Sequence, residues 1–333
     1  MQMLESIDTS IRRRLEDAQS VAIVSHIRAD GDAVGSLLGL GIALMKSGKS
    51  VQMALQDGLP EKYRELACSD MVKRTLEPGF DTLIVVDSSD INRTGSLLSM
   101  HSHADICIDH HKTNLRFATL NLIEESAVAT AAILAEHFPQ WGLDIDQEVA
   151  SCLLTGIIAD TIGFRTSNIN AEAMRLSAEL MDKGANLSKL YGQVLISRSY
   201  EEMRYWGAGL DKLTRDAALV WTTLSLNDRI QAGYFENDDA DLINVLSAIA
   251  EAKIAMIFVE QEGGSVKVSW RANSGIDVSE LAFAFGGGGH AAAAGADIQG
   301  DLTTVKESVI KATKALLDGR FSEITKEMHI QKG

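Results

Sequence analysis

His26, Asp30 and Asp32 fall within one short stretch, SHIRADGDAVGS (25–36), directly after the apolar run VAIV. An imidazole and two carboxylates set two residues apart crowd negative charge at one point. In a medium of low dielectric such a group either takes up protons or binds cations. Three further segments carry the same kind of side chain. Asp87 ends an apolar run in LIVVDSSD; Asp109, His110 and His111 end another in ICIDHH; Asp160 is the sole charge in LLTGIIADTIGF. Each has a plain alternative when read singly. Asp87 would serve as a helix cap, the histidine pair as a surface or packing feature, and Asp160 as a hydrogen-bonded structural acid. It is their occurrence together, in order, that points to a metal site.

The elements that must position these residues are legible from the hydrophobic pattern. Strands are expected at 20–26, 50–55, 81–89 and 104–111, and helices at 32–47, 126–138, 146–160 and 170–183. Apolar strands alternating with helices predict an α/β fold, a mostly parallel sheet with helices on both faces. Parallel strands share a direction, so their carboxyl ends lie along one edge, where α/β folds bind ligands. His26, Asp30, Asp32, Asp87 and the 109–111 trio then converge there, and Asp160 reaches the same place from a neighbouring helix. Two divalent cations would cancel the charge of Asp30, Asp32, Asp87 and Asp160. Carboxylate oxygens mixed with imidazole nitrogens, and no thiolate, favour Mn²⁺, with Mg²⁺ and Co²⁺ as alternatives. Paired metals about 3.5–4 Å apart generate a nucleophile from water and stabilise phosphoryl transfer. His101 and His103, in MHSHAD, precede a strand, belong at its opposite end, and are read as surface residues.

From about residue 186 the pattern changes. The expected organisation is a catalytic domain over 1–185, a helical linker over 186–210, and a smaller mixed α/β domain over 211–333 that binds substrate. Within the last, KIAMIFVEQ (253–261) and SVKVSWRA (265–272) flank EGG, a hairpin signal. A helix is expected near 238–251. FGGGGHAAAAGA (285–296) offers backbone N–H groups to an anion, with a following helix start adding a favourable dipole. His290 would add a donor or a charge for phosphate, and Arg271 would face a phosphate or a base. From the residues alone the glycine string is equally a tight turn, and Arg271 a solvated strand-end arginine. GIALMKSGKS (41–50) only imitates a phosphate loop. Six residues lie between Gly41 and Gly48 where the motif has four, and a helix end capped by Gly48 explains the stretch.

Composition narrows the partners. The 333 residues exceed one ordinary core and carry a formal net charge of −15. A surface this acidic repels long double-stranded nucleic acid, so phosphates would be handled in a local pocket on short substrates. No run approaches a membrane span, and the charged N-terminus lacks the apolar core of a secretion signal. Cys68, Cys107 and Cys152 are far apart in the chain, as expected for a reducing cytoplasm rather than a disulfide framework.

Taken in order, SHIRADGDAVGS, VVDSSD, DHH and GIIADT resemble the successive motifs of the DHH phosphoesterase superfamily, and GGGGHAAAAG resembles the signature of its associated C-terminal domain. Ala29 departs from the pattern, which commonly has proline there; proline would only stiffen the loop. Length and layout are most similar to the nanoRNase and oligoribonuclease subgroup. The resemblance implies one metal site from His26, Asp30 and Asp87 and a second from Asp32, Asp87, His110 and Asp160, with Asp87 shared. It implies that His111 contacts the scissile phosphate, that Asp109 orients the histidines, and that Arg271, Gly288, Gly289 and His290 hold substrate, with Arg93 as a further candidate. The activity implied is manganese-dependent hydrolysis of short oligonucleotides such as pApA, and of 3′-phosphoadenosine 5′-phosphate, by a cytoplasmic enzyme that forms a homodimer. Alternatives are cyclic di-AMP cleavage, pyrophosphate or polyphosphate hydrolysis, and a nucleotide-binding module without catalysis.

Overall fold

The computed structural model of the chain describes residues 6–99, 103–273 and 275–321. The chain divides between Ser197 and Arg198 into two compact units. The first holds strands β1 (Ser20–Val24), β2 (Ser50–Ala54), β3 (Val72–Lys73), β4 (Thr82–Val86), β5 (Ala104–Asp109) and β6 (Ala118–Ile123). Its α-helices are α1 (Ile7–Asp17), α2 (Gly31–Lys46), α3 (Thr130–Trp141), α4 (Gln147–Asp160), α5 (Ala171–Asp182) and α6 (Leu187–Tyr191). The sheet runs β3-β2-β1-β4-β5-β6, and every pairing in it is parallel.

This order reverses direction between β1 and β4. The chain leaves β1 through α2 toward β2, and leaves β4 through a 3₁₀ segment, Ile91–Leu98, toward β5. Right-handed crossovers moving in opposite directions must use opposite faces. They do: Val21 and Ile23 of β1 join a core with α1 to α4, whereas Ala22 and Val24 pack with Leu98 and Ile91 on the other face. Such a reversal opens a crevice beyond the carboxyl ends of the two strands. His26 follows β1 and Asp87 follows β4.

Glycines set how closely α2 approaches α4. Gly31, Gly35 and Gly39, four apart, share one face of α2. A Cβ on Gly31 would meet the Cβ of Ala159 at 2.3 Å, and one on Gly35 the Cys152 carbonyl oxygen at 2.5 Å and the Gly156 nitrogen at 2.8 Å. On the facing helix, a Cβ on Gly156 would meet Asp32 Oδ1 at 2.7 Å. Bare backbone on both helices therefore makes room for the Asp32 carboxylate and brings it toward Asp160.

The second unit holds strands β7 (Thr214–Asp216), β8 (Leu219–Leu224), β9 (Ile254–Gln261), β10 (Ser265–Ala272), β11 (Gly288–His290) and β12 (Ala293–Gln299). With them are α7 (Tyr200–Asp211), α8 (Leu226–Ala232), α9 (Leu242–Leu246), α10 (Ser279–Ala284) and α11 (Leu302–Leu317). The sheet order is β11-β12-β10-β9-β8-β7. It is mixed: β8 pairs with β9 in parallel, and its other pairings are antiparallel. One face packs on α10 and α11, the other on α7, α8 and α9.

Three expectations need revising. The helix expected near 238–251 is only the five residues of α9. The stretch 186–210 is not one helix: Leu190 and Val194 pack into the first unit's core, and Tyr205 of α7 into the second's. No helix follows the glycine run. Ala293–Gln299 is a strand because Ala294 and Ala296 fill the core face beside β10, so tertiary packing overrides alanine's helix propensity. Gly48 ends α2's turn at φ +88°, as expected of a cap. Among the described residues no helix is long and apolar enough to cross a membrane. His101 lies outside the described residues; His103 is exposed immediately before β5.

The close helix crossing yields a test. Gly35→Ala forces a methyl against backbone atoms that no rotamer change can move. We expect a loss of about 1–3 kcal/mol, read as a lowered unfolding midpoint of the whole chain. An unchanged midpoint would contradict the packing described here.

Candidate metal centre

Strand ends and helix starts deliver the side chains. Ser25 Oγ donates to the Val86 carbonyl at 2.7 Å, tying the end of β1 to that of β4. His26 follows at once. Asp30 is the N-cap of α2 and accepts from the backbone N–H groups of Asp32 and Ala33, both at 3.1 Å. Asp87 turns out of β4 with φ +53°, a left-handed conformation that aspartate tolerates better than most residues. Asp109 closes β5, and Asp160 closes α4. Beyond Asp160 the chain reverses through Ile162 at φ +48°, unusual for a β-branched residue. The buried Thr161 hydroxyl holds that turn by accepting from the Phe164 N–H at 2.9 Å.

The ligand atoms of His26, Asp30 and Asp87 lie within 4.8 Å of one another, and so do those of Asp32, His110 and Asp160. Asp87 connects the two groups. Its Oδ2 is 3.5 Å from His26 Nε2, and its Oδ1 is 3.9 Å from His110 Nε2. His110 Nε2 is also 3.7 Å from Asp160 Oδ2 and 3.9 Å from Asp32 Oδ2. These separations exceed a hydrogen bond. They approach the spacing of ligands gathered about one small dication, each about 2.1 Å from the ion and so about 3–3.5 Å from its neighbours. The rings are turned to suit: His26 Nδ1 lies 2.8 Å from the Ile27 carbonyl oxygen and His110 Nδ1 3.3 Å from that of Ala127. Donating through Nδ1 places the lone pair on Nε2, as in histidines that ligate metals.

His111 is held differently. Its Nδ1 is 2.6 Å from Asp109 Oδ1, and Asp109 Oδ2 accepts from Asn114 Nδ2 at 2.7 Å. Both oxygens of Asp109 are thus engaged in hydrogen bonds. Burial opposes a charge on His111, but the Asp109 hydrogen bond and the nearby Asp87 carboxylate push its pKa up to about 9. Although His111 also groups with Asp87 and His110, its Nδ1 is committed to Asp109. The neighbouring histidines thus differ in their partners: His110 Nδ1 faces the Ala127 carbonyl oxygen, and His111 Nδ1 the Asp109 carboxylate.

Charge crowding carries the case for cations. Asp32, Asp87 and Asp109 are 1%, 2% and 0% exposed. Desolvation raises the pKa of Asp32 well above the ordinary carboxylate range, and repulsion from Asp87, Asp160 and Asp30 adds to it. Asp160 is pushed up to about 7, again chiefly by burial, with His110 opposing and Asp30 and Asp87 reinforcing. Asp87 goes the other way: burial would raise it, but His26, His111 and His110 hold it well below the usual value. His26 is raised, since Asp87 and Asp30 outweigh its burial. Buried carboxylates that must hold protons to coexist are a group that could hold cations instead.

Sequence reasoning missed the supports. Asn114 fastens Asp109. The backbone N–H groups of Thr130 and Ala131 donate to Asp32 Oδ2 and Oδ1 at 2.6 and 2.9 Å, and Thr130 Oγ1 donates to Asp87 Oδ1 at 3.0 Å. The one sequence signal is that α3 begins after Ala129, which supplies no side-chain cap; its first N–H groups need an acceptor from elsewhere.

Arg93 is exposed, and its charge opposes protonation of both His26 and His111, so its guanidinium lies close enough to the cluster to be felt. The remaining candidates sit in the second unit. Across its sheet His290 pairs with Ala293, and Ala293 with Arg271. Directly opposed residues share a face, so the two side chains leave the same side of the sheet, from backbone positions two strands or about 10 Å apart. Ala293 separates them, and Gly288, Gly295 and Ser269 form the neighbouring row. Gly289 has φ +142°, and a Cβ there would meet the Ala293 carbonyl oxygen at 2.5 Å. Arg271 is not a solvated strand end. Burial lowers its pKa, and it donates to Asn244 Oδ1 at 3.3 Å and to the Trp270 carbonyl at 3.1 Å.

The raised pKa values of Asp32 and Asp160 have a thermodynamic consequence. These groups keep their protons in the folded chain where the unfolded chain has lost them. The metal-free fold therefore loses stability as pH rises from about 4 through about 7, and a bound dication removes that loss. The melting temperature with Mn²⁺ minus that with EDTA should be larger near pH 8 than near pH 5.5. A gap independent of pH would contradict this reading of the cluster.

Residues 20–157 match the DHH family N-terminal domain, and residues 226–319 match the DHHA1 domain. The chain is 32% identical over 300 residues to a Thermus thermophilus protein named bifunctional oligoribonuclease and PAP phosphatase NrnA, covering 88% of this chain and 89% of that one. It is 22% identical over 307 residues to the Bacillus subtilis protein of the same name, covering 87% and 93%. An exopolyphosphatase-related protein from Bacteroides fragilis shares the fold at a TM-score of 0.83, with 22% identity over 97% of each chain. RecJ from Thermus thermophilus, in complex with Mn²⁺, shares it at 0.54, with 14% identity over 97% of this chain and 56% of that one. This chain belongs to the DHH phosphoesterase family, and it carries the DHHA1 domain after the DHH domain.

Proposed function

We propose that this phosphoesterase is a manganese-dependent enzyme that hydrolyses short oligonucleotides, and 3′-phosphoadenosine 5′-phosphate, to mononucleotides. The observation that carries the reading is the pair of ligand groups joined at Asp87. His26, Asp30 and Asp87 would hold one divalent ion; Asp32, Asp87, His110 and Asp160 would hold the other. Bound there, the ions would supply a nucleophile from water near neutral pH and offset negative charge on the phosphoryl group.

The protein's own groups do the rest. His111, kept protonated by Asp109, donates to a phosphoryl oxygen and stabilises the charge that grows there. Asp109 fixes the ring and Asn114 fixes Asp109. Arg93 adds positive charge for an incoming phosphate. In the second unit Arg271 and His290 bind the nucleotide portion of the substrate over a floor of Ala293, Gly295 and Ser269, where the absence of bulk admits a phosphate or a base. That face favours nucleotides over pyrophosphate, and the Thermus relative's name supports both activities proposed here. The acidic surface favours short substrates. Three free thiols agree with a cytoplasmic setting.

Purified protein with Mn²⁺ should convert pApA to AMP, followed by chromatography, and should turn over pyrophosphate far more slowly. Asp87→Ala should lower the rate by at least about 10²–10³-fold while the chain stays folded. Full turnover by that variant, or a preference for pyrophosphate, would contradict the proposal. Arg271→Ala should raise KM for pApA by about 10–100-fold with a smaller change in kcat; an unchanged KM would remove Arg271 from substrate binding.

A further inference from the structure

Asp87 must turn one oxygen toward each ligand group, yet it leaves β4 on a left-handed turn and its three imidazole neighbours stand at 3.5–3.9 Å. Among the described residues, its carboxylate accepts one short hydrogen bond, from Thr130 Oγ1 at 3.0 Å. Thr130 is fully buried, and its backbone N–H donates to Asp32 Oδ2 at 2.6 Å. One residue thus touches two carboxylates that come from different elements, α2 and the end of β4.

The hydroxyl's direction is not a by-product of helix geometry. A threonine inside a helix commonly turns its hydroxyl to the carbonyl one turn earlier. Thr130 opens α3 after an Ala129 that is still extended, at φ −165° and ψ 154°, so no earlier turn competes. The bond goes to Asp87 Oδ1, the oxygen on the side of His110, and leaves Oδ2 facing His26. We infer that Thr130 is the positioning residue that sets the rotation of the Asp87 carboxylate, so that its two oxygens address two metal positions at once. The inference rests on the two-ion reading above and adds to it the residue that makes the bridge. Outer partners of this kind commonly change metal affinity 10–100-fold.

Thr130→Val isolates the hydroxyl. It keeps the volume, the branching at Cβ and the N–H to Asp32. Thr130→Ser restores the hydroxyl without the methyl. The readout is Mn²⁺ titration of the full chain followed by electron paramagnetic resonance, which distinguishes free, single and exchange-coupled ions, with melting in EDTA as the check on folding. The wild type and Thr130→Ser should take up two coupled ions. Thr130→Val should keep one near wild-type affinity, bind the other about 10–100-fold more weakly, and lose the coupled signal at stoichiometric metal. Two coupled ions in Thr130→Val at wild-type affinity would overturn the inference while leaving the two-ion reading intact. A single ion in the wild type would overturn that reading, and the inference with it. Should Thr130→Val not fold, Thr130→Ala replaces it: loss of the second ion in Ala but not in Ser supports the role, and equal behaviour overturns it.

Discussion

Repulsion among buried carboxylates is the constraint around which the first unit is arranged. Asp32 and Asp87 are almost wholly removed from water, with Asp160 and Asp30 close by. No protein benefits from such a cluster unless something positive compensates it, because each neighbour makes the next ionisation harder. The chain supplies part of that compensation itself. Two backbone N–H groups at the start of α3 meet Asp32, and three imidazoles surround Asp87. What it does not supply is enough charge for Asp32 and Asp160, whose pKa values remain high. Divalent cations held by these groups would complete the balance.

The scaffold follows from that requirement. The sheet reverses direction between β1 and β4, which opens the crevice beside the ends that carry His26 and Asp87. Glycines on α2 and α4 bring the helices close enough for Asp32 to sit between them. Asp109 and Asn114 hold His111 by a chain of hydrogen bonds. Two adjacent histidines after one strand therefore have different surroundings: His110 Nδ1 faces a backbone carbonyl, and His111 Nδ1 a buried carboxylate.

The acidic and histidine residues were legible because each terminates an apolar run, and a parallel sheet turns that local fact into convergence. Asp160 was legible as the sole charge in the stretch 153–164. The edge strands were harder. β6 is only half-buried, so its alternation is weak, and β3 is two residues long. The glycine run misled because HAAAAGA reads locally as a helix; only pairing with β10 shows that Ala294 and Ala296 are core positions. That same pairing places His290 and Arg271 on one face, a relation no spacing within the chain reveals. Thr130 and Asn114 were illegible for a related reason. Each acts on a carboxylate that only the folded chain brings near.

The central claim is that this cluster is built around a pair of dications sharing Asp87. Anomalous diffraction at the manganese edge, from crystals grown with Mn²⁺, addresses it most directly. The account predicts two peaks about 3.5–4 Å apart, one beside His26 and Asp30, one beside Asp32, His110 and Asp160, with the Asp87 carboxylate between them. No peak in that crevice, or a lone ion that Asp87 does not touch, would contradict it.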